Sequence, residues 1–267
     1  MDGFRIRSCL FAALLAVLAS CSIKEDRSGC PCLLTVDLSL ALNVELTPPS
    51  WWERGLTIAL FREDRCFRQA SLWYEEAGPE WETQVEKAEI GVVGMLGWNA
   101  GAVSGLEIRY PEGCQSDALY VSSRTVPCYG ETARTRLEME KQFSNVTIEG
   151  LDTFSAQMQV TATCNGLNLM TRQALEGVFR FPLSCDSEGI CRFRMPRQSS
   201  DDVRILLLNS EGHLDNAIPL GAYMTEIGYD WDAPSLSDVF IRIDFVTASI
   251  SVTVDDWTQV IAFPYTL

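Results

Sequence analysis

The segment Ile241-Arg242-Ile243-Asp244-Phe245-Val246-Thr247-Ala248-Ser249-Ile250-Ser251-Val252-Thr253-Val254 decides the fold class. Ile241, Ile243 and Phe245 alternate with Arg242 and Asp244, and Ile250, Val252 and Val254 alternate with Ser249, Ser251 and Thr253. A period of two sends successive side chains to opposite faces of a sheet, so each run is a half-buried strand. Thr247-Ala248 leaves room only for a tight turn between them.

The same rhythm continues upstream. Leu34, Val36, Leu38 and Leu40 alternate with Thr35, Asp37 and Ser39, and Thr47-Pro48-Pro49-Ser50 breaks the pattern. Leu56 to Arg62 reads as a second strand, and Glu63-Asp64-Arg65 turns into a third from Cys66. The glycine-rich run Ile90 to Gly105 reads as a strand ending in a turn; it lacks the Gly-x-Gly-x-x-Gly spacing of a phosphate cradle. Ile108 to Tyr110 and Ala118 to Ser122 continue the series. Leu137 to Phe143, Asn145 to Ile148, the alternation around Met158 to Ala162, and Val203 to Leu207 repeat it. Val178 to Leu183 and Cys191 to Met195 read as the arms of a hairpin. Short strands every eight to twelve residues predict an all-β protein of two β-sandwiches. The expected division is 1–20, 21–32, 33–135 and 136–267.

The first of these divisions is a secretory signal. Arg5 and Arg7 form a basic head, Leu10 to Leu18 is an apolar run, and Ala19-Ser20-Cys21 closes it with small side chains. The run is well short of the roughly 18–20 residues that span a bilayer. Leu18-Ala19-Ser20-Cys21 resembles a bacterial lipobox, which makes Cys21 the expected lipidation site; the other reading is a plain cleavable signal with a structural Cys21. Ser22, rather than Asp, after the cysteine resembles outer-membrane sorting. Lys24-Glu25-Asp26 resembles the Lys-plus-acidic tag that moves Bacteroidetes lipoproteins to the cell surface, and it reads equally as a solvated charged tether.

The 36 acidic and 21 basic residues give a formal charge of −15. Such a surface repels phosphate backbones, so nucleic acid is excluded as a partner. Beyond Cys9 and Cys21, eight cysteines remain: Cys30, Cys32, Cys66, Cys114, Cys128, Cys164, Cys185 and Cys191. An even number in an exported chain suggests disulfides, with roughly a hundred possible pairings. Only Cys185 and Cys191 can be argued locally, because the turn-forming Asp186-Ser187-Glu188-Gly189-Ile190 separates them. Two buried free thiols are the alternative. Cys30-Pro31-Cys32 has one intervening residue, which fits neither a zinc knuckle nor a thioredoxin motif.

Catalytic chemistry finds little to stand on. The chain has one histidine, His213, in a surface-turn composition, with no Gly-x-Ser-x-Gly elbow. Asp230-Trp231-Asp232 and Asp255-Asp256 lack the spacing of a calcium loop. The expectation is a protein that is not an enzyme and holds no metal or cofactor. The seven tryptophans, Trp51-Trp52 among them, leave two readings open: sugar-stacking platforms or ordinary core.

Cys21-Ser22-Ile23-Lys24-Glu25-Asp26-Arg27-Ser28-Gly29-Cys30-Pro31-Cys32, followed by a strand ending in Asp37-Leu38-Ser39, resembles the FimB-type fimbrial anchor lipoproteins of Bacteroidales. The terminal strand pair running into Val254-Asp255-Asp256-Trp257 is similar to the same family's C-terminal end. The resemblance implies two transthyretin-like β-sandwiches in tandem. It also implies a palmitate-bearing lipid anchor in the outer membrane, and a fimbrium seated and limited in length through strand exchange with pilin subunits. In strand exchange one chain's terminal strand completes its neighbour's sheet. Thr258 to Leu267 is the extended, apolar candidate here, with Val260 and Ala262, or Ile261 and Phe263, facing inward; an ordinary edge strand is the alternative. The rival to anchoring is a carbohydrate-binding surface lipoprotein.

Overall fold

The computed structural model describes residues 29–39, 55–73, 78–98, 101–150, 157–244, 249–254 and 257–262. The lipidation candidate Cys21, the tag Lys24-Glu25-Asp26, the Thr247-Ala248 turn, Trp51-Trp52 and Phe263 lie outside them.

The first sandwich pairs a three-stranded and a five-stranded sheet. β1 (Cys32–Asp37) lies between β4 (Glu80–Val85), antiparallel, and β8 (Thr132–Arg136), parallel. The facing sheet has the order β3-β2-β5-β7-β9, from β3 (Arg65–Leu72), β2 (Leu56–Arg62), β5 (Glu89–Leu96), β7 (Tyr120–Pro127) and β9 (Glu140–Lys141). Leu34 and Val36 of β1 meet Ile58 and Leu60 of β2 and Ile90 and Val92 of β5 in one apolar cluster.

The second sandwich is built from β10 (Phe143–Glu149) onward. One sheet runs β13 (Ile190–Pro196), β10, β16 (Val239–Asp244), β17 (Ser249–Val254), β18 (Trp257–Ala262). The other runs β12 (Ala174–Leu183), β11 (Gln157–Asn168), β14 (Arg204–Leu208), β15 (Leu214–Ile218). The short helix α1 (Leu220–Glu226) caps the core with Leu220 and Met224.

The two sandwiches share a third apolar layer. β2 is buried on both faces, which is why it reads as a continuous apolar run rather than an alternation. Its Leu56, Ile58 and Leu60 face the first core, whereas Ala59 and Phe61 join Val93, Met95, Leu119 and Val121 against Leu167 of β11 and Leu169 just after it. β6 (Glu107–Arg109) extends that contact by pairing with β11, so a strand from the first half completes a sheet of the second.

Two expectations are corrected. Leu137 to Phe143 is not one strand: only Glu140–Lys141 pair with β7, while Leu137 is a fully buried core residue in a loop and the Glu138 N–H is held by Ser122 Oγ at 3.0 Å. The presumed hairpin arms are not partners either. β12 pairs with β11 and β13 pairs with β10, so the chain crosses between opposite sheets at the Cys185–Cys191 turn. A local apolar–turn–apolar pattern reports the reversal of the chain, not which sheet each arm joins.

Candidate functional site

The terminal strand β18 forms the outer edge of its sheet. It pairs antiparallel with β17, with Val254 opposite Trp257, Ser251 opposite Val260, Ile250 opposite Ile261 and Ser249 opposite Ala262. Thr253 and Thr258 hydroxyls hydrogen-bond across the pair at 2.8 Å. Two apolar side chains on it are exposed, Trp257 at 68% and Val260 at 67%. An exposed edge strand is a template for pairing with another chain. Of the two inward sets considered for this segment, the one beginning at Val260 has that residue in solvent.

At the crossing between sheets, the sulfurs of Cys185 and Cys191 are 2.06 Å apart and their Cα atoms 4.1 Å. Asp186 organises the turn. Its Oδ1 accepts from the N–H groups of Glu188 and Ile190, each at 3.0 Å, and its Oδ2 accepts from Arg192. These donors, the Ile190 N–H foremost, hold the Asp186 carboxyl below its usual range. Gly189 supplies the positive φ of 76° that closes the loop.

A polar cleft of about 380 Å³ opens where the chain passes from one sandwich to the other. Glu140, Arg172, Arg197, Gln198, Trp231 and Pro234 are among its walls. Arg197 is 6% exposed and has no carboxylate among its hydrogen-bond partners. It donates to Gln142 Oε1 at 2.8 Å and to the carbonyls of Trp231, Ala233 and Pro234 at 3.1, 2.7 and 3.0 Å. Desolvation pulls its pKa down. Arg172, at a positive φ of 60°, pairs with Glu140 beside it. The cleft is thus a buried cationic clamp that fixes the 231–234 loop to the junction. Nothing in the local sequence around Arg197 signals this, because all four acceptors are distant in the chain.

A second, larger groove of about 870 Å³ lies along the β3 and β4 edges of the first sandwich, among Arg62, Cys66, Phe67, Arg68, Gln84 and Glu86. Arg68 bridges it, donating to the Gln84 carbonyl at 3.0 Å and to the Thr83 hydroxyl.

The other residues singled out in the sequence do not converge. His213 lies in the β14–β15 turn, its side chain 74% exposed and 3.5 Å from Glu211. Among the described residues no group of three or more His, Cys, Asp or Glu could hold a metal ion. Trp81, Trp98 and Trp231 pack against three different apolar clusters. Trp73 and Trp257 are exposed, one after β3 in the first sandwich and one on β18 in the second.

No family model matches the chain, and no curated protein matches it in sequence. Solved structures do match. The fimbrial anchor protein Mfa2 from Porphyromonas gingivalis is similar with a TM-score of 0.55 and 11% identity, covering 86% of this chain and 99% of that one. A candidate polysaccharide-binding protein from Bacteroides thetaiotaomicron gives 0.60 at 12% identity, covering 86% and 98%. A candidate adhesin from Bacteroides ovatus gives 0.58 at 8% identity, covering 89% and 98%. At such identities the likeness is one of fold. Over most of its length this chain has the all-β fold of these Bacteroidales proteins, a fimbrial anchor among them.

Proposed function

We propose that this protein is an outer-membrane lipoprotein, tethered through Cys21 and exposed on the cell surface, that seats a fimbrium without catalysing a reaction. It would hold the fibre and limit its length through strand exchange with a pilin subunit. The observation that carries the reading is the fold shared with a fimbrial anchor protein across 86% of this chain and 99% of that one. The signal and lipobox at its N-terminus and the solvent-facing edge strand β18 support it.

The test is deletion of the gene, followed by electron microscopy of cells and medium. The expected result is fewer cell-bound fimbriae and longer fibres shed into the medium, restored by the wild-type chain and not by Cys21→Ala. Unchanged fibre number, length and attachment would overturn the reading.

The carbohydrate reading has its own support in the likeness to a candidate polysaccharide-binding protein and in the two exposed tryptophans. Because Trp73 and Trp257 belong to different sandwiches, they offer separate stacking faces rather than one built platform. Glycan-array binding abolished by Trp73→Ala or Trp257→Ala, with fimbriae unaffected by deletion, would favour it instead.

A further inference from the structure

The first sandwich encloses two cysteines that its fold and the anchoring role leave unexplained. Cys32 opens β1 in the three-stranded sheet, and Cys128 follows Pro127, the last residue of β7, in the five-stranded sheet. Both are 0% exposed and belong to one apolar cluster. Both are free thiols, and Cys32 lies close enough to act on the Cys128 thiol.

The backbone fixes this proximity from both sides. The Cys128 N–H donates to the Ala88 carbonyl at 2.9 Å, and Val85, just upstream of Ala88, is the register partner of Cys32. The Leu33 N–H donates to the Glu131 carbonyl at 2.8 Å, and Glu131 closely follows Cys128. Each cysteine is therefore held near the other by two independent segments, not by one adjustable rotamer. Burial, with Cys32 alongside, pushes the Cys128 thiol up to about 12. A thiolate is disfavoured there, which argues against a nucleophile or a metal ligand. It also means that any oxidation of the pair happens while the sheets are still open.

We propose that Cys32 and Cys128 are a disulfide site that covalently staples the two sheets of the first sandwich during folding outside the cytoplasm. Both S–H bonds break, one S–S bond forms and two protons are released. The two electrons reduce a disulfide-bearing oxidant, a dithiol carrier of the exporting compartment or glutathione disulfide in vitro, to its thiol form. A staple between β1 and the end of β7 closes a loop that contains most of that sandwich. Loops of this length are where a cross-link restricts the unfolded chain most.

The experiment is refolding of the reduced, unfolded full chain in a buffer of reduced and oxidised glutathione, followed by alkylation and peptide mapping without reduction. The expected result is a cross-linked peptide joining Cys32 to Cys128, with Cys66 and Cys164 alkylated. Alkylation of both Cys32 and Cys128 after unfolding would overturn the proposal, as would a bridge from Cys128 to the exposed Cys30. As a second readout, reductant should raise the unfolding equilibrium constant of a Cys185→Ala/Cys191→Ala chain by about tenfold or more. The same treatment should leave a chain that also carries Cys32→Ala/Cys128→Ala unchanged. Equal sensitivity of both chains to reductant would also overturn it. If the fourfold variant does not fold, the peptide map of the wild-type chain decides the question alone. None of these readouts depends on a fimbrial role.

Discussion

Arg136 Nε donates to Asp37 Oδ2 at 2.9 Å, joining two residues 99 positions apart at the end of the parallel β1–β8 pair. Asp37 also accepts from the Ser39 N–H at 3.0 Å and the Ser39 hydroxyl at 2.6 Å, and its side chain is 7% exposed. The Asp37-Leu38-Ser39 ending of β1 therefore has a physical purpose. Asp37 ends the strand on its own downstream turn and ties that end to β8.

This arrangement predicts acid sensitivity. The Ser39 hydroxyl first, then the Ser39 N–H and Arg136, hold the Asp37 carboxyl well below the usual carboxylate range. With the folded pKa depressed, the stabilisation is fully present above the unfolded value of about 4. It declines as pH falls below that value, because the unfolded chain takes up the proton first. Asp37→Asn should lower the urea midpoint at pH 7 and flatten the decline in stability on the acid side. An unchanged midpoint and pH slope would show that the ion pair contributes nothing.

A second prediction concerns the join between the sandwiches. A Cβ built on Gly166 would sit 2.4 Å from the Ile108 carbonyl oxygen, so glycine is what lets β6 approach β11. Gly166→Ala should force the two backbones apart and cost about 1–3 kcal/mol. The checks are faster hydrogen exchange at Ile108 and Leu167, and limited proteolysis between residues 98 and 107. A variant as protected as the parent would show that β6 adjusts freely.

Much of the architecture was legible because it depends on local periodicity. Leu56–Arg62 came out of the sequence with its observed bounds, and the alternation of Ile241 to Val254 matches the burial pattern of β16 and β17 wherever it is described. What stayed hidden depends on contacts between distant residues. Ile108 looked like one more strand of the first half, yet its register partner is Leu167. Cys185 and Cys191 stood out as a pair, but their flanking strands enter opposite sheets. Cys32 and Cys128 gave no pairing signal, since nothing in the spacing of the eight cysteines selects them. Arg197 reads as one surface arginine among many until its four acceptors from two other segments surround it.

That arginine carries the third prediction. Replacing Arg197 with Met preserves much of the apolar stem but leaves the Trp231, Ala233 and Pro234 carbonyls and Gln142 Oε1 without their donor. Losing charge-assisted hydrogen bonds at a buried site should cost about 2–3 kcal/mol. Arg197→Lys, with a compact ammonium in place of the planar fork, should recover only part of it. Thermal unfolding measures the loss, and the near-ultraviolet signal of Trp231 reports whether the 231–234 loop has come free.

The last prediction tests how the C-terminal edge is used. Val252 of β17 is fully buried, whereas Val260 of the adjacent β18 is 67% exposed. Val252→Asp would bury an unpaired charge and should cost more than about 4 kcal/mol, enough to unfold the second sandwich. Val260→Asp should shift stability by no more than about 0.5 kcal/mol, because its side chain already meets water. If β18 is the segment that completes a pilin sheet, its exposed face is what the partner's pockets receive, and Val260→Asp should weaken fimbrial retention without unfolding the protein. Truncation after Trp257 separates this role from ordinary edge packing. The strands β13, β10, β16 and β17 remain paired without β18, so the expected product is protease-resistant, surface-exposed and unable to hold fimbriae. A truncated chain that is degraded would make β18 an integral part of its own sandwich. A folded one that still holds fibres would place the connection elsewhere, with the β3–β4 groove the next surface to probe.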